Sequence, residues 1–156
     1  MLTNLRRAHI YLAENRPAII APVHFNSAGI YYEQENPLLD ESSDWNALCA
    51  SLRSSIDRFS FREANLRDAK KTDWPAFRAS CCRSVRQFED LYLRIDVCSM
   101  NDAELFYNAS CHPRGEKDIT LQVSLNRYGE DEEIDRLLRK LFKASLCWAN
   151  KFDLDE

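Results

Sequence analysis

The groups in this 156-residue chain that could do chemistry are three histidines, six cysteines and 25 carboxylates. Their spacing is informative mainly by what it withholds. His9, His24 and His112 contain no helix-spaced pair, and Cys81-Cys82 is adjacent where a tetrahedral zinc site wants C-x-x-C. Cys98, Cys111 and His112 could converge on neighbouring strands, but no fourth ligand can be named. A cysteine nucleophile needs a base in reach and a cation to favour the thiolate. Arg78 and Arg83 flank Cys81-Cys82, yet nothing in the spacing brings His24 or His112 to them. There is no G-x-S-x-G elbow. The acids gather in runs instead of facing one another across a cleft, as paired acid–base catalysis requires. Gly29, Gly115 and Gly129 are too scattered to build a phosphate-cradling loop. The expectation is a domain that is not an enzyme and carries no metal and no cofactor.

Charge arrangement says more than charge total. The net of −4 conceals a segment from Arg53 to Arg94 with ten basic and six acidic residues, while the remainder has 11 basic and 19 acidic. Two acidic stretches stand out. One holds Glu33, Glu35, Asp40, Glu41 and Asp44, directly after Tyr31 and Tyr32; the other is Glu130, Asp131, Glu132, Glu133 and Asp135. Patches of one sign steer a partner of the other. The same runs also suit a solvated loop and the first turn of a helix. The basic segment interleaves Phe59, Phe61, Trp74 and Phe77, as single-strand binders do, but a pI of 5.5 and helix-like spacing argue against direct nucleic-acid binding.

These residues must be positioned by elements the periodicity predicts. Arg7 to Leu12 and Pro17 to Phe25 read as strands, and Asn26-Ser27-Ala28-Gly29 as a turn into a third, starting at Ile30. Ser42 or Ser43 can cap a helix with Trp45, Leu48, Cys49, Leu52, Ile56 and Phe59 on one stripe. Residues 60–72 read as a polar surface connection with some helix. Pro75 fits a helix first turn capped by Thr72 or Asp73, and a second helix starts at Ser84. Alternation predicts strands over 91–98, 105–109 and 119–125, and a closing helix over 132–150. Phe142, Leu146 and Ala149 widen that helix's apolar stripe, which fits deep packing or a homodimer contact. The prediction is one α+β domain over residues 1–156, a mostly antiparallel sheet with helices packed on it. No apolar run is long enough to cross a membrane, and the N-terminus lacks a signal-peptide pattern, so a cytoplasmic protein with reduced cysteines is expected.

One stretch is similar to a known family. Thr72-Asp73-Trp74-Pro75-Ala76-Phe77, with Ser80, Ser84-Val85, Phe88-Glu89 and Leu91-Tyr92-Leu93, resembles the central motif of immunity proteins of bacterial contact-dependent growth-inhibition systems. Cys81-Cys82 departs from the small residues expected there. The resemblance implies a small cytoplasmic α+β protein that binds and neutralises the C-terminal toxin domain, usually a nuclease, of a cognate toxin. It names no contact residues. The charge pattern does: Glu33, Glu35, Asp40, Glu41 and Asp44 with Tyr31 and Tyr32 as anchors, then Glu130, Asp131, Glu132 and Glu133. The alternative is a non-catalytic regulatory or adaptor domain, dimeric through the last helix.

Overall fold

The computed structural model describes residues 5–41, 48–99, 101–111 and 119–152. Eight strands form a single sheet: β1 (Arg7–Leu12), β2 (Ala18–Phe25), β3 (Tyr31–Glu33), β4 (Leu38–Asp40), β5 (Ser60–Phe61), β6 (Leu93–Ser99), β7 (Glu104–Cys111) and β8 (Ile119–Asn126). The main order is β3-β2-β1-β6-β7-β8, with β4 and β5 also on β2. All pairings are antiparallel except β2 with β5. The helices are α1 (Leu48–Asp57), α2 (Pro75–Ala79), α3 (Val85–Leu91) and α4 (Asp131–Phe152). The class is α+β, as the periodicity predicts.

Register makes the two faces of the sheet different. Ile20, Ile10, Ile95, Ala109 and Leu121 are successive partners across five strands. With Ala8, Leu12, Val97 and Tyr107 they pack on Leu48, Leu52 and Ile56 of α1 and on Ile134, Leu138, Leu141 and Phe142 of α4. Burying an aliphatic side chain contributes roughly 1.5–3 kcal/mol, so this face holds most of the fold's stability. The parallel row on the other face runs Ala21, His9, Asp96, Asn108 and Gln122, apolar at one end and polar at the other. Among the described residues, α2 and α3 cover the β1–β2 end of it. There Tyr11, Ile19 and Ala21 meet Ala76, Phe88 and Tyr92, with Trp74 and Phe77 packed around them.

The family-like motif is therefore a packing motif. The Phe88 ring lies 4.9 Å from Trp74, 5.2 Å from Tyr11, 5.1 Å from Tyr92 and 6.1 Å from Phe77. Ser84 caps α3, its hydroxyl accepting from Gln87 N–H. Pro75 opens α2, but the capping residue is Trp74 and not Thr72 or Asp73. The Asp73 carboxylate is committed one turn earlier, to Lys70 N–H and to Arg78. Cys81 ends α2 at φ +55°, the left-handed conformation that usually follows a helix. Gly29 at φ +78° closes the β2–β3 turn.

Three further expectations change, and for α4 the structure favours one of two readings. Leu91 finishes α3 instead of starting β6. Residues 60–72 hold the short strand β5 and a 3-10 turn at Lys71–Asp73, not an α-helix. β4 arises inside the acidic loop. Phe142 is 7% exposed and belongs to the core, so the broad stripe of α4 is deep packing there, with Leu146 packed against it. Ser42, Ser43, Asp44, Trp45, His112 and the side chains of Cys111, Cys147, Trp148 and Ala149 lie outside the described residues. Cys49, Cys81, Cys82 and Cys98 are free thiols.

Candidate functional site

A cleft of about 540 Å³ opens between β3 and the segment leading into α2. Its walls include His24, Tyr32, Arg62, Lys70 and Trp74, and its floor is His9 with Glu33. The Glu33 side chain is only 4% exposed, unusual for a carboxylate and tolerable only because it is fully used. His9 Nδ1 lies 2.9 Å from its Oε1, the Tyr11 hydroxyl donates to the same oxygen, and Ala76 N–H donates to Oε2 at 3.1 Å. Glu33 thus supplies from β3 the acceptor that the first turn of α2 needs.

The network continues outward. Arg94 NH2 is 3.2 Å from His9 Nε2, and Asp96 Oδ1 is 3.3 Å from the same nitrogen. Nδ1 faces the Glu33 acceptor, while Nε2 faces a guanidinium that only donates and a carboxylate that only accepts, so it can serve one of the two at a time. Arg94 also donates to Asp96 at 2.8 Å. Burial opposes ionisation of Glu33, but His9, Tyr11 and Trp74 outweigh it and hold the carboxyl below its ordinary value. Burial, reinforced by Glu33, pushes the Tyr11 phenol well up. Every polar group on the floor is spent on another, so the floor fixes the shape of the cleft.

The walls are less committed. His24 Nδ1 sits 3.0 Å from Ser60 Oγ across the β2–β5 pairing, and burial lowers the imidazole pKa. A serine beside a neutral imidazole is half of a nucleophile–base pair, but catalysis by such a pair needs a third group to orient the base. Among the described residues no carboxylate is hydrogen-bonded to His24. Nor does any cluster of three or more His, Cys, Asp or Glu suited to a metal occur among them. What the cleft offers is a shaped recess with aromatic walls of mixed charge, Arg62 and Lys70 beside Glu35, Glu63 and Asp73.

The charge-derived residues scatter. Asp40 and the side chain of Glu33 are buried; Glu35 and Glu41 are exposed. Tyr31 and Tyr32 are half-buried on the cleft wall, with the Tyr32 hydroxyl donating to Arg62 O. Glu130, Asp131, Glu132 and Glu133 are exposed at the start of α4, where Asp131 pairs with Arg53 at 2.6 Å. The two acidic stretches therefore do not merge into one surface through Glu33 or Asp40. Sequence reasoning missed His9, His24, Arg62 and Arg94 as cleft residues; the alternation in β1 and β6 is the signal that places His9 and Arg94 on one face.

No protein-family model matches the chain, and no curated protein matches it. Its fold recurs in solved structures, among them the following. A protein of unknown function from Neisseria meningitidis is 17% identical, with TM-score 0.64 over 92% of this chain and 94% of its own. A chain of the CdiA-CT/CdiI toxin and immunity complex from Yersinia pseudotuberculosis is 11% identical, with TM-score 0.64 over 90% of this chain and 97% of its own. At these identities the likeness is one of fold. No helix among the described residues is long and apolar enough to cross a membrane.

Proposed function

We propose that this chain is a cytoplasmic immunity protein, which binds and neutralises the C-terminal toxin domain of a cognate contact-dependent growth-inhibition toxin, a nuclease. The observation that carries the reading is the near end-to-end fold likeness to a chain of a toxin and immunity complex. The Trp74-Pro75 motif supports it independently, because its aromatic residues form the packing that fixes α2 and α3 on the sheet. An inhibitor of this kind performs no reaction, in keeping with a cleft floor whose polar groups are all engaged with one another.

The proposed contacts are the exposed acids, Glu35 and Glu41 on one side and Glu130, Asp131, Glu132 and Glu133 on the other, with Tyr31 and Tyr32 beside the cleft. Acids there would draw a basic nuclease surface and raise the association rate at low salt. The test is co-expression with the C-terminal domain of any large secreted toxin found encoded beside this chain, followed by co-purification. Rescue of growth with a stable complex is the expected result. Growth arrest despite good expression of the folded chain would refute the reading. For the adaptor alternative, Phe142 is already buried within one chain, which leaves Leu146 as the half-buried residue of the stripe it would use.

A further inference from the structure

The segregated positive charge is not absorbed by the acidic contacts above, and the structure collects part of it at one end of the molecule. Phe61 is 62% exposed on β5, and Ile30 is 46% exposed in the turn before β3. Beneath them Phe25 lies 4.8 Å from Tyr31 and 6.3 Å from Phe61, while Phe59 lies 6.4 Å from Tyr31. The Arg7 guanidinium covers the Tyr31 ring at 3.9 Å. Arg58 and Arg62 bracket Phe59 and Phe61 in the chain, both exposed. Asp57 ties this group to another: it pairs with Arg6 at 2.9 Å and with Arg127, next to the 69% exposed Tyr128. Among the described residues, two of the five exposed large apolar side chains, Phe61 and Ile30, thus share an end carrying Arg6, Arg7, Arg58 and Arg62 against Asp57 and Glu63.

Solvent-exposed aromatics next to arginines are the composition of an interface centre, where a few such anchors hold most of the binding energy. The local charge is positive on a chain whose net is −4, so it cannot serve the basic surface that the acidic runs would draw. We infer that the β2–β3–β5 end docks an acidic protein segment of the toxin domain carrying an apolar side chain, with Phe61 as anchor and Arg58 and Arg62 as the charged rim. The identity of the partner rests on the proposed function; the chemistry of the patch does not. A partner fitting both surfaces would itself be segregated in charge, and register between the two would be set by the opposition of signs.

The experiment uses the full chain and two arms. In the first, the purified toxin domain is titrated onto wild type, Phe61→Ser, Arg58→Glu with Arg62→Glu, and Glu132→Lys with Glu133→Lys. In the second, the same proteins meet a short fluorescent peptide alternating Asp and Glu with Leu and Trp, and a short oligothymidylate. Melting curves check folding, which these exposed positions should leave intact. The expected result is a loss of about 30-fold in toxin affinity for Phe61→Ser, of the size of a hot-spot truncation. The arginine pair should lose at least as much, and peptide binding should be abolished by either change. Toxin binding untouched by these changes would overturn the inference and leave the immunity reading standing. No toxin binding with peptide still captured at Phe61 would do the reverse. Oligothymidylate bound in preference to the peptide, or neither toxin nor peptide bound, would overturn the patch assignment.

Discussion

Replacing Glu33 by Gln tests whether a buried carboxylate ties α2 to the sheet. The change keeps the volume and one carbonyl oxygen, but turns the second acceptor into an NH2 group. It aims a donor into a site already supplied with donors by His9, the Tyr11 hydroxyl and Ala76 N–H. With the amide oxygen kept where His9 and Tyr11 both point, Ala76 N–H loses its acceptor and the new NH2 gains none, at roughly 1–3 kcal/mol each. Part of that returns because a neutral amide is cheaper to bury than an ion. The expected net loss is about 3 kcal/mol, or about 10 °C in Tm for a chain of this size. The pH dependence has a definite sign. Because the Glu33 carboxyl is held below its ordinary value, the unfolded chain takes up the proton first. Its contribution is complete above the unfolded value of about 4.3 and is lost as pH falls through the folded one. Urea unfolding of both proteins from pH 7 downward should show a gap that is widest at neutral pH and closes below about pH 4. A Gln variant as stable as wild type at pH 7, or a gap unchanged in acid, would refute the reasoning.

Phe88→Ala should cost about 3–5 kcal/mol in chemical denaturation, since four aromatic rings lose a shared neighbour; a cost under about 1 kcal/mol would mean that α3 collapses onto the space. Cys49 should resist iodoacetamide in the native protein, because burial, with Asp131 and Asp135 adding to it, pushes its thiol up to about 11, whereas exposed Cys81 should label readily. Mass spectrometry showing equal labelling would contradict that burial. Phe142→Asp should destabilise the fold by at least about 3 kcal/mol and lower helix content by circular dichroism; a well-folded variant that sediments as a smaller species than wild type would restore the dimer reading of α4.

Much of the sheet is legible in the sequence because its strands alternate against a covered face: Ile10, Ile95 and Leu121 recur at period two, and the register then joins them across it. Pro75 and Ser84 mark helix starts for local reasons, a fixed φ and a capping hydroxyl. β4 and β5 escape notice because three- and two-residue strands have no period to detect, and both exist only by borrowing an edge of β2. Glu33 reads as one more surface acid in a run of acids. Its burial depends on His9 and Tyr11, more than 20 positions earlier, and on Ala76, more than 40 later. No local pattern carries that. Phe61 fails in the opposite direction, an aromatic that reads as helical packing and is exposed.

The pairing of β1 with β6 has a consequence for how the chain comes into being. Ile10 sits opposite Ile95, so the centre of the sheet joins a segment to one synthesised more than 80 residues later. β1 can hairpin with β2 at once, but its other edge stays open while the ribosome completes α1, α2 and α3. An apolar strand edge waiting in this way is a template for wrong pairing. The immediate rise of the β1–β2 hairpin, then, is not the birth of the domain: ribosome-arrested chains ending before residue 93 should remain open to protease, and those with β7 clear of the exit tunnel should not. Protection in the shorter chains would show that the N-terminal half stands alone. Under the proposed function, the interval between the two is time without a guard.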